Sequence, residues 1–283
     1  MSGHESVGVP VQESVRAAAA ELAAAGVPSA RFDAEELAAF SLGVQRRDLW
    51  RAPGVGPDFA AYVRRRAARE PLQHITGRAH FRHLTLAVGR GVFVPRPETE
   101  VVVDAVLAVV RGATAPVIVD LGTGSGAIAL SVADELPAAR VHAVEADPGA
   151  HEWAARNAAG TAVDLRLGDM ADAFPDLDGT VDVVVSNPPY IPVGAVVRDP
   201  EVAAHDPAPA LWSGADGLDA VRVVERVATR LLRAGGTVVV EHADLQGESA
   251  PAVFAATGRW TGVADHRDLA GRDRYLTARR AAG

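Results

Sequence analysis

From Pro95 onward, short runs of β-branched and apolar residues alternate with helical stretches, and this alternation leaves few folds open. Residues 117–120, 140–144, 164–167, 181–185 and 237–241 read as strands, with 260–266 and 274–278 as a closing pair. Residues 98–111, 127–135, 148–159, 218–232 and 245–257 read as helices between them. Such a series predicts an α/β fold, a Rossmann-like doubly wound sheet that binds ligands outside the carboxyl ends of its strands. Residues 191–217, rich in Pro, Gly and Ala, read as a long loop across those ends.

The first strand of the series breaks into a glycine-rich turn, Asp120-Leu121-Gly122-Thr123-Gly124-Ser125-Gly126. Glycines admit positive φ and let backbone approach a ligand closely. Taken alone, the turn suits a dinucleotide or is simply tight. The spacing G-T-G-S-G is not the G-x-G-x-x-G of the dinucleotide fingerprint. Asp120 would repel a pyrophosphate but suits the ammonium of an amino-acid-bearing cofactor, and S-adenosylmethionine has that ammonium and no phosphate. A second acid belongs at the end of the next strand, where a carboxylate accepts two hydrogen bonds from a ribose diol. Glu145 stands there; Asp147 is its rival, with a helix cap before Pro148 as its other role. After the third strand, Asp169 suits either an adenine amino group or a helix cap, and Met170 suits the adenine face.

Asn187-Pro188-Pro189-Tyr190 follows the apolar run 181–185. As a plain turn it is unremarkable in composition. As a site it solves one problem, presenting a planar –NH2 to a methyl donor. The Asn187 side-chain oxygen and the Pro188 carbonyl accept the two hydrogens, which leaves the nitrogen lone pair toward the incoming methyl. The prolines stiffen the turn, and Tyr190 offers a flat wall. A nucleobase and a carboxamide both qualify as the acceptor.

Residues 11–70 read as helical, with Gly26 stopping the first helix (11–25) and Ser29 and Asp33 preceding the second (34–42). Residues 47–50 read as a short third helix and 58–69 as a fourth. Residues 84–88 and 92–94, with Gly89 and Gly91 between them, read as a β-hairpin. The expected division is a helical docking domain at 1–74, a β-hairpin linker at 75–94 and the α/β domain at 95–283. The net charge of −8 argues against a broad basic surface for nucleic acid. All 28 cationic residues are arginines, and there is no cysteine, which excludes disulfides and thiolate metal sites. No metal is called for. The N-terminal stretch MSGHESVGVPVQES lacks a basic region followed by an apolar core, and no apolar run is long enough to span a membrane. A cytoplasmic monomer is expected.

The joint pattern V-D-L-G-T-G-S-G-A-I-A-L and V-S-N-P-P-Y-I resembles the class I methyltransferases that modify glutamine in peptide chain release factors, the PrmC/HemK family. Three further segments agree: Pro95-Arg96-Pro97-Glu98-Thr99-Glu100; Asp206-Pro207 through Ala210-Leu211 and Gly214-Ala215-Asp216-Gly217-Leu218; and Asp268-Leu269-Ala270-Gly271-Arg272-Asp273-Arg274. The resemblance covers about residues 70–280, and the helical N-terminus in character. It implies an S-adenosylmethionine-dependent enzyme acting on the glutamine of a Gly-Gly-Gln loop, with Asn187, Pro188, Pro189 and Tyr190 at the substrate amide. Asp120, Gly122, Thr123, Gly124, Ser125, Gly126, Glu145, Asp169, Met170 and Asn187 would line the cofactor, and the helical domain would contact the release factor body. Arg96 and Glu100 stand either as an ion pair at a helix start or as ties for a loop over the substrate. Departures are Glu145 where Asp is common, Met170 where an aromatic often stands, and Glu241-His242-Ala243 in place of E-x-G, which leaves the backbone after that strand open. The rivals are a ribosomal-protein glutamine, a DNA adenine, for which a basic duplex-binding module is missing, and a binding module that retains the fold without catalysis.

Overall fold

The computed structural model describes residues 9–282; residues 1–8, the start of the stretch read for a signal sequence, and residue 283 lie outside the described residues. The chain divides into two compact units, residues 1–77 with 197–205, and residues 78–196 with 206–283.

The first unit is helical. α1 (Val11–Ala24) and α2 (Ala30–Leu42) end where Gly26 and Gly43 adopt positive φ, 76° and 65°. α3 (Phe59–Ala67) and the one-turn α4 (Leu72–Thr76) follow, with Pro71 before α4 and Gly77 after it. Leu22, Leu37, Phe59, Val63 and Ile75 form its core. Asp33 lies inside α2 rather than before it, because its carboxylate meets the buried Arg66 guanidinium on α3 at 2.7 Å.

The second unit begins with a hairpin, β1 (Arg78–Phe81) and β2 (Leu84–Ala87), paired from Arg78↔Ala87 to Phe81↔Leu84. After it come α5 (Glu100–Val109), β3 (Val117–Leu121), α6 (Ala127–Glu135), β4 (Arg140–Glu145), α7 (Pro148–Ala158), β5 (Asp164–Leu167) and β6 (Val181–Ser186). The helix α8 (Pro200–His205), which clusters with the first unit, precedes α9 (Asp219–Leu231), β7 (Leu232–Glu241), α10 (Ser249–Ala255), β8 (Trp260–Arg267) and β9 (Asp273–Arg280). The seven strands run in the order β5-β4-β3-β6-β7-β9-β8. β3 pairs in parallel with both β4 and β6, while β9 is antiparallel to β7 and β8. The predicted doubly wound sheet is therefore present. The chain winds outward from β3 to β5 and then returns to the other side of β3, so strand order reverses at β3 and the carboxyl ends of β3, β4 and β6 meet there.

Strand alternation assigns the two faces. Ile118, Val183, Val185 and Val239 face a core shared with α5 and α6, while Val119, Val184, Val238 and Val240 face a core shared with α9 and α10. Asp120, two residues beyond Ile118, and Glu241, two beyond Val239, project on the α5–α6 face, where a leucine would be the ordinary occupant.

Two readings need correction. The hairpin turn is Arg82-His83, not Gly89-x-Gly91, and residues 84–88 pair with 78–81 rather than with 92–94. Arg82 takes a positive φ of 49°, a strained choice for arginine, and tertiary bonds compensate. Its N–H donates to Glu100 at 3.0 Å, and its guanidinium binds Asp104 at 2.8 Å and both oxygens of Glu135. Gly89 opens a turn that joins no strand pair, its carbonyl accepting from Val92 N–H at 3.4 Å, and it also allows a close approach, since a Cβ there would come within 2.6 Å of the Trp153 ring. Nor is this segment a free linker, because Phe81, Leu86, Val88, Val92 and Val94 are buried in the α5–α6 core.

Candidate active site

The glycine turn after β3 closes on its own neighbours. The N–H groups of Gly122 and Thr123 both donate to the Val144 carbonyl at 3.0 Å, and that of Gly126 donates to the Thr123 carbonyl. The Gly124 N–H donates to Glu145 Oε2 at 2.8 Å. Gly122, Gly124 and Gly126 all have positive φ, which these bonds require. Asn157 on α7 donates to the Ser125 carbonyl at 2.9 Å and holds the turn from the side. A pyrophosphate cradle needs free N–H groups; here four of them are already engaged, and what is left over is carboxylate.

That carboxylate is Asp120, 1% exposed. Its Oδ2 accepts from the Thr123 hydroxyl at 2.6 Å and from the Ala129 N–H at 3.2 Å. Its Oδ1 is buried with no hydrogen-bond partner among the described residues. Burial pushes its pKa up to about 7 against the pull of those two bonds, and Glu145 adds to the rise. A buried oxygen left without a donor is costly unless a ligand supplies one, and a cationic ammonium is the donor that also restores the charged form. The Thr123 hydroxyl therefore acts on Asp120.

Glu145 ends β4 with one backbone donor on each oxygen, Gly124 N–H on Oε2 and Asp147 N–H on Oε1 at 2.9 Å. Each oxygen keeps a second lone pair, which is what a diol needs. Asp147 caps α7 by accepting from Ala150 N–H at 2.9 Å, so its carboxylate is engaged as a helix cap. Asp169 caps a short 3-10 turn by accepting from Ala171 N–H at 2.8 Å. Met170 packs against the α9–α10 core.

Asn187 follows β6, and the register Ser186↔Val240 puts it beside Glu241 at the end of β7. Its Nδ2 donates to the Thr99 hydroxyl oxygen at 3.3 Å. Its Oδ1 and the Pro188 carbonyl accept nothing among the described residues. Glu241 is 2% exposed, and burial pushes its carboxyl up to about 7 although Thr99, Arg274 and Asn187 pull it down and Glu98 raises it further. Its Oε2 has no hydrogen-bond partner among the described residues. Burial and the nearby Glu241 also hold the Tyr190 hydroxyl neutral by raising its pKa.

The loop after Tyr190 is pinned by the segments that the sequence singled out. Ile191 exchanges backbone bonds with Leu211 and Ser213 at 2.8 and 2.9 Å. Gln246 donates to the Tyr190 and Gly217 carbonyls and accepts from Ala243 N–H at 3.0 Å. A side chain at Gly217, whose φ is +77°, would collide with the Tyr190 carbonyl. Ala243 stands where a glycine was expected, and it avoids positive φ because Gln246 and the His242 ring, bonded to Asp265 at 2.8 Å, fix the turn. Arg96 pairs with Asp206 at 2.8 Å and Glu100 holds the hairpin turn, so these two acidic contacts are separate rather than one pair. Thr99, between them, is the residue of that motif that reaches Asn187. Sequence reasoning passed over Thr99, Asn157 and the burial of Glu241; only the recurrence of Thr99 and Glu241 in quoted motifs could have marked them.

Residues 13–77 match the family model described as PrmC N-terminal domain, and residues 87–199 match that described as methyltransferase small domain. A release factor glutamine methyltransferase of Streptomyces coelicolor is 57% identical over 272 residues, covering 94% of this chain and 97% of its own. One from Mycolicibacterium smegmatis is 49% identical, covering 96% and 98%. A 4-amino-L-phenylalanine/4-methylamino-L-phenylalanine methyltransferase of Streptomyces pristinaespiralis is 47% identical, covering 86% and 87%.

Proposed function

This chain belongs to the release factor glutamine methyltransferase family, and from that premise we propose that it transfers a methyl group from S-adenosylmethionine to the side-chain amide nitrogen (N5) of the glutamine in the Gly-Gly-Gln loop of peptide chain release factors. Two observations carry the chemistry: Asn187 Oδ1 and the Pro188 carbonyl accept no hydrogen bond among the described residues, and Asp120 Oδ1 is buried without a partner among them.

The cofactor fits the residues present. Asp120 would hold its ammonium, Glu145 its ribose hydroxyls, and Met170 and Asp169 would flank its adenine. When bound, it supplies a sulfonium-activated methyl. The chain supplies position and dryness. Asn187 Oδ1 and the Pro188 carbonyl each take one hydrogen of the substrate –NH2, which fixes its plane and leaves the nitrogen lone pair facing the methyl donor. Pro188 and Pro189 keep that turn rigid, and the neutral Tyr190 ring walls the amide plane. Orientation of this kind is the main source of rate when the electrophile is already strong. No group at the site must remove a proton first. The helical unit supplies docking to the factor body, and a release-factor substrate implies a cytoplasmic location. Among the described residues no helix is long and apolar enough to cross a membrane.

The relative that acts on an aromatic amine gives a second reading, since an aniline –NH2 is also planar and suits the same two acceptors. Methyl transfer from labelled S-adenosylmethionine to release factor, ribosomal protein, DNA and 4-amino-L-phenylalanine, assayed side by side, separates the readings. Labelling of release factor at the Gly-Gly-Gln glutamine, lost when that glutamine is replaced, is the expected result. Labelling of the amino acid alone would refute the release-factor reading.

A further inference from the structure

We propose that Glu241 and Thr99 are positioning residues that set which way the Asn187 carboxamide faces, holding Oδ1 toward the substrate –NH2. The proposal rests on the reading of Asn187 as the acceptor for that –NH2. A carboxamide has two faces of similar shape and opposite hydrogen-bond character, and its neighbours choose between them. Here the neighbour is the Thr99 oxygen, 3.3 Å from Nδ2, with the Glu241 carboxylate behind it. An ionised carboxylate only accepts, so the Thr99 hydroxyl hydrogen turns to Glu241 and the Thr99 lone pairs turn to Asn187 Nδ2. Reversing the carboxamide would set Oδ1 against acceptor oxygens and aim Nδ2 at the substrate –NH2, donor against donor. The relay Asn187–Thr99–Glu241 thus makes the productive face the only one satisfied.

Several features say that this arrangement is selected. Glu241 is buried at the sheet position where alternation asks for an apolar side chain. A glutamine would fill the same volume without the desolvation of a charge, but it would also offer donors to Thr99. The groups facing Glu241 are Thr99 and Glu98 from the turn before α5, Asn187 and Tyr190 after β6, and Arg274 from β9. Arg274 keeps a positive charge nearby while paired with Asp268 at 3.2 Å. The acid stays ionised only above about pH 7, and below that it becomes a donor and the relay loses its direction.

The test uses the full-length enzyme at saturating cofactor. Glu241→Gln should lower kcat about 100-fold, the scale of a misaligned reacting group, with the Kd for S-adenosylhomocysteine within about twofold of wild type. Wild-type kcat should fall as pH drops through about 7, and Glu241→Gln should lack that limb. Thr99→Val should lose kcat in parallel and Thr99→Ser should restore it, which separates hydroxyl chemistry from packing. The 15N side-chain resonance of Asn187 should titrate with the same midpoint in wild type and stay flat in Glu241→Gln. That signal needs no substrate, so it stands or falls separately from the identity of the methyl acceptor. Wild-type kcat and an unchanged pH limb in Glu241→Gln, or an Asn187 resonance indifferent to pH, would overturn the proposal.

Discussion

In the helical unit the buried Asp33 carboxylate meets Arg66 at 2.7 Å, and the same guanidinium takes Glu201 at 2.8 Å while Arg69 takes Glu201 from the other side at 2.8 Å. In the α/β unit the equally buried Asp120 and Glu241 have no ion pair among the described residues, and each keeps an oxygen with no hydrogen-bond partner among them. Burial raises the pKa of all three acids, but only Asp33 has an arginine bonded to it to oppose the rise. The contrast separates two uses of a buried charge. A partnered one specifies how helices meet, and removing either member leaves the other stranded. An unpartnered one weakens the free protein and becomes satisfied only when a ligand or a reacting group completes it.

The sharpest way to break that contrast is at the vacant acceptor. Asn187→Ala should lower kcat by about 1000-fold, as removal of an oriented hydrogen-bonding group at a reacting centre does, while cofactor titration gives a nearly unchanged Kd. Equal loss of both would undo the assignment. Next comes the partnered pair. Arg66→Met should cost about 3 kcal/mol in denaturant unfolding because it strands Asp33, while Glu201 keeps Arg69, with cofactor affinity retained in the folded protein. Asp120→Asn should do the reverse. It should weaken cofactor binding by about 30-fold, the worth of one charged hydrogen bond, and raise the melting temperature of the free enzyme at pH 8. A fall in both would place Asp120 with the structural acids.

The smallest effect is graded with pH. Asp120 and Glu241 have folded pKa values of about 7, above their ordinary values of 3.8 and 4.5. Below the ordinary values both states are protonated and nothing differs. Between them and about 7, the native state holds protons that the unfolded chain has released, so stability falls as pH rises and stays low above 7. Cofactor affinity has the opposite slope, because the ammonium needs ionised Asp120, and it should drop by up to about tenfold per pH unit below 7. Calorimetry in buffers of different ionisation enthalpy should detect a proton released on binding at pH 6, a release that fades as pH rises through about 7.

Much of this was legible in the chain. Asp120, Glu145 and Asn187 were legible as polar residues at or just past strand ends, because each comes at the close of a stretch that reads as a strand, which is a local pattern; their roles toward cofactor and substrate belong to the proposal. Asp147 was separable from Glu145 for the same reason, since a cap before a proline is also local. Asp169 was half legible: the residue was found, and its bond to Ala171 shows a cap. The hairpin turn was missed because Gly-x-Gly is the stronger local signal, while Arg82 owes its turn to Glu100, Asp104 and Glu135 elsewhere in the chain.

By itself, then, the sequence determined the order of strands and helices, the strand ends that carry polar groups, and the place of Asn187 and Pro188 just after a strand. Those follow from period-two alternation and turn chemistry, which act over a few residues. Only the tertiary structure decided that Thr99 meets Asn187 across 88 residues, that Glu241 stands buried beside them, and that residues 197–205 gather with the helical unit. The physical reason is that burial and hydrogen-bond partnership are properties of packing. A carboxylate reads the same in sequence whether water, an arginine or nothing stands beside it.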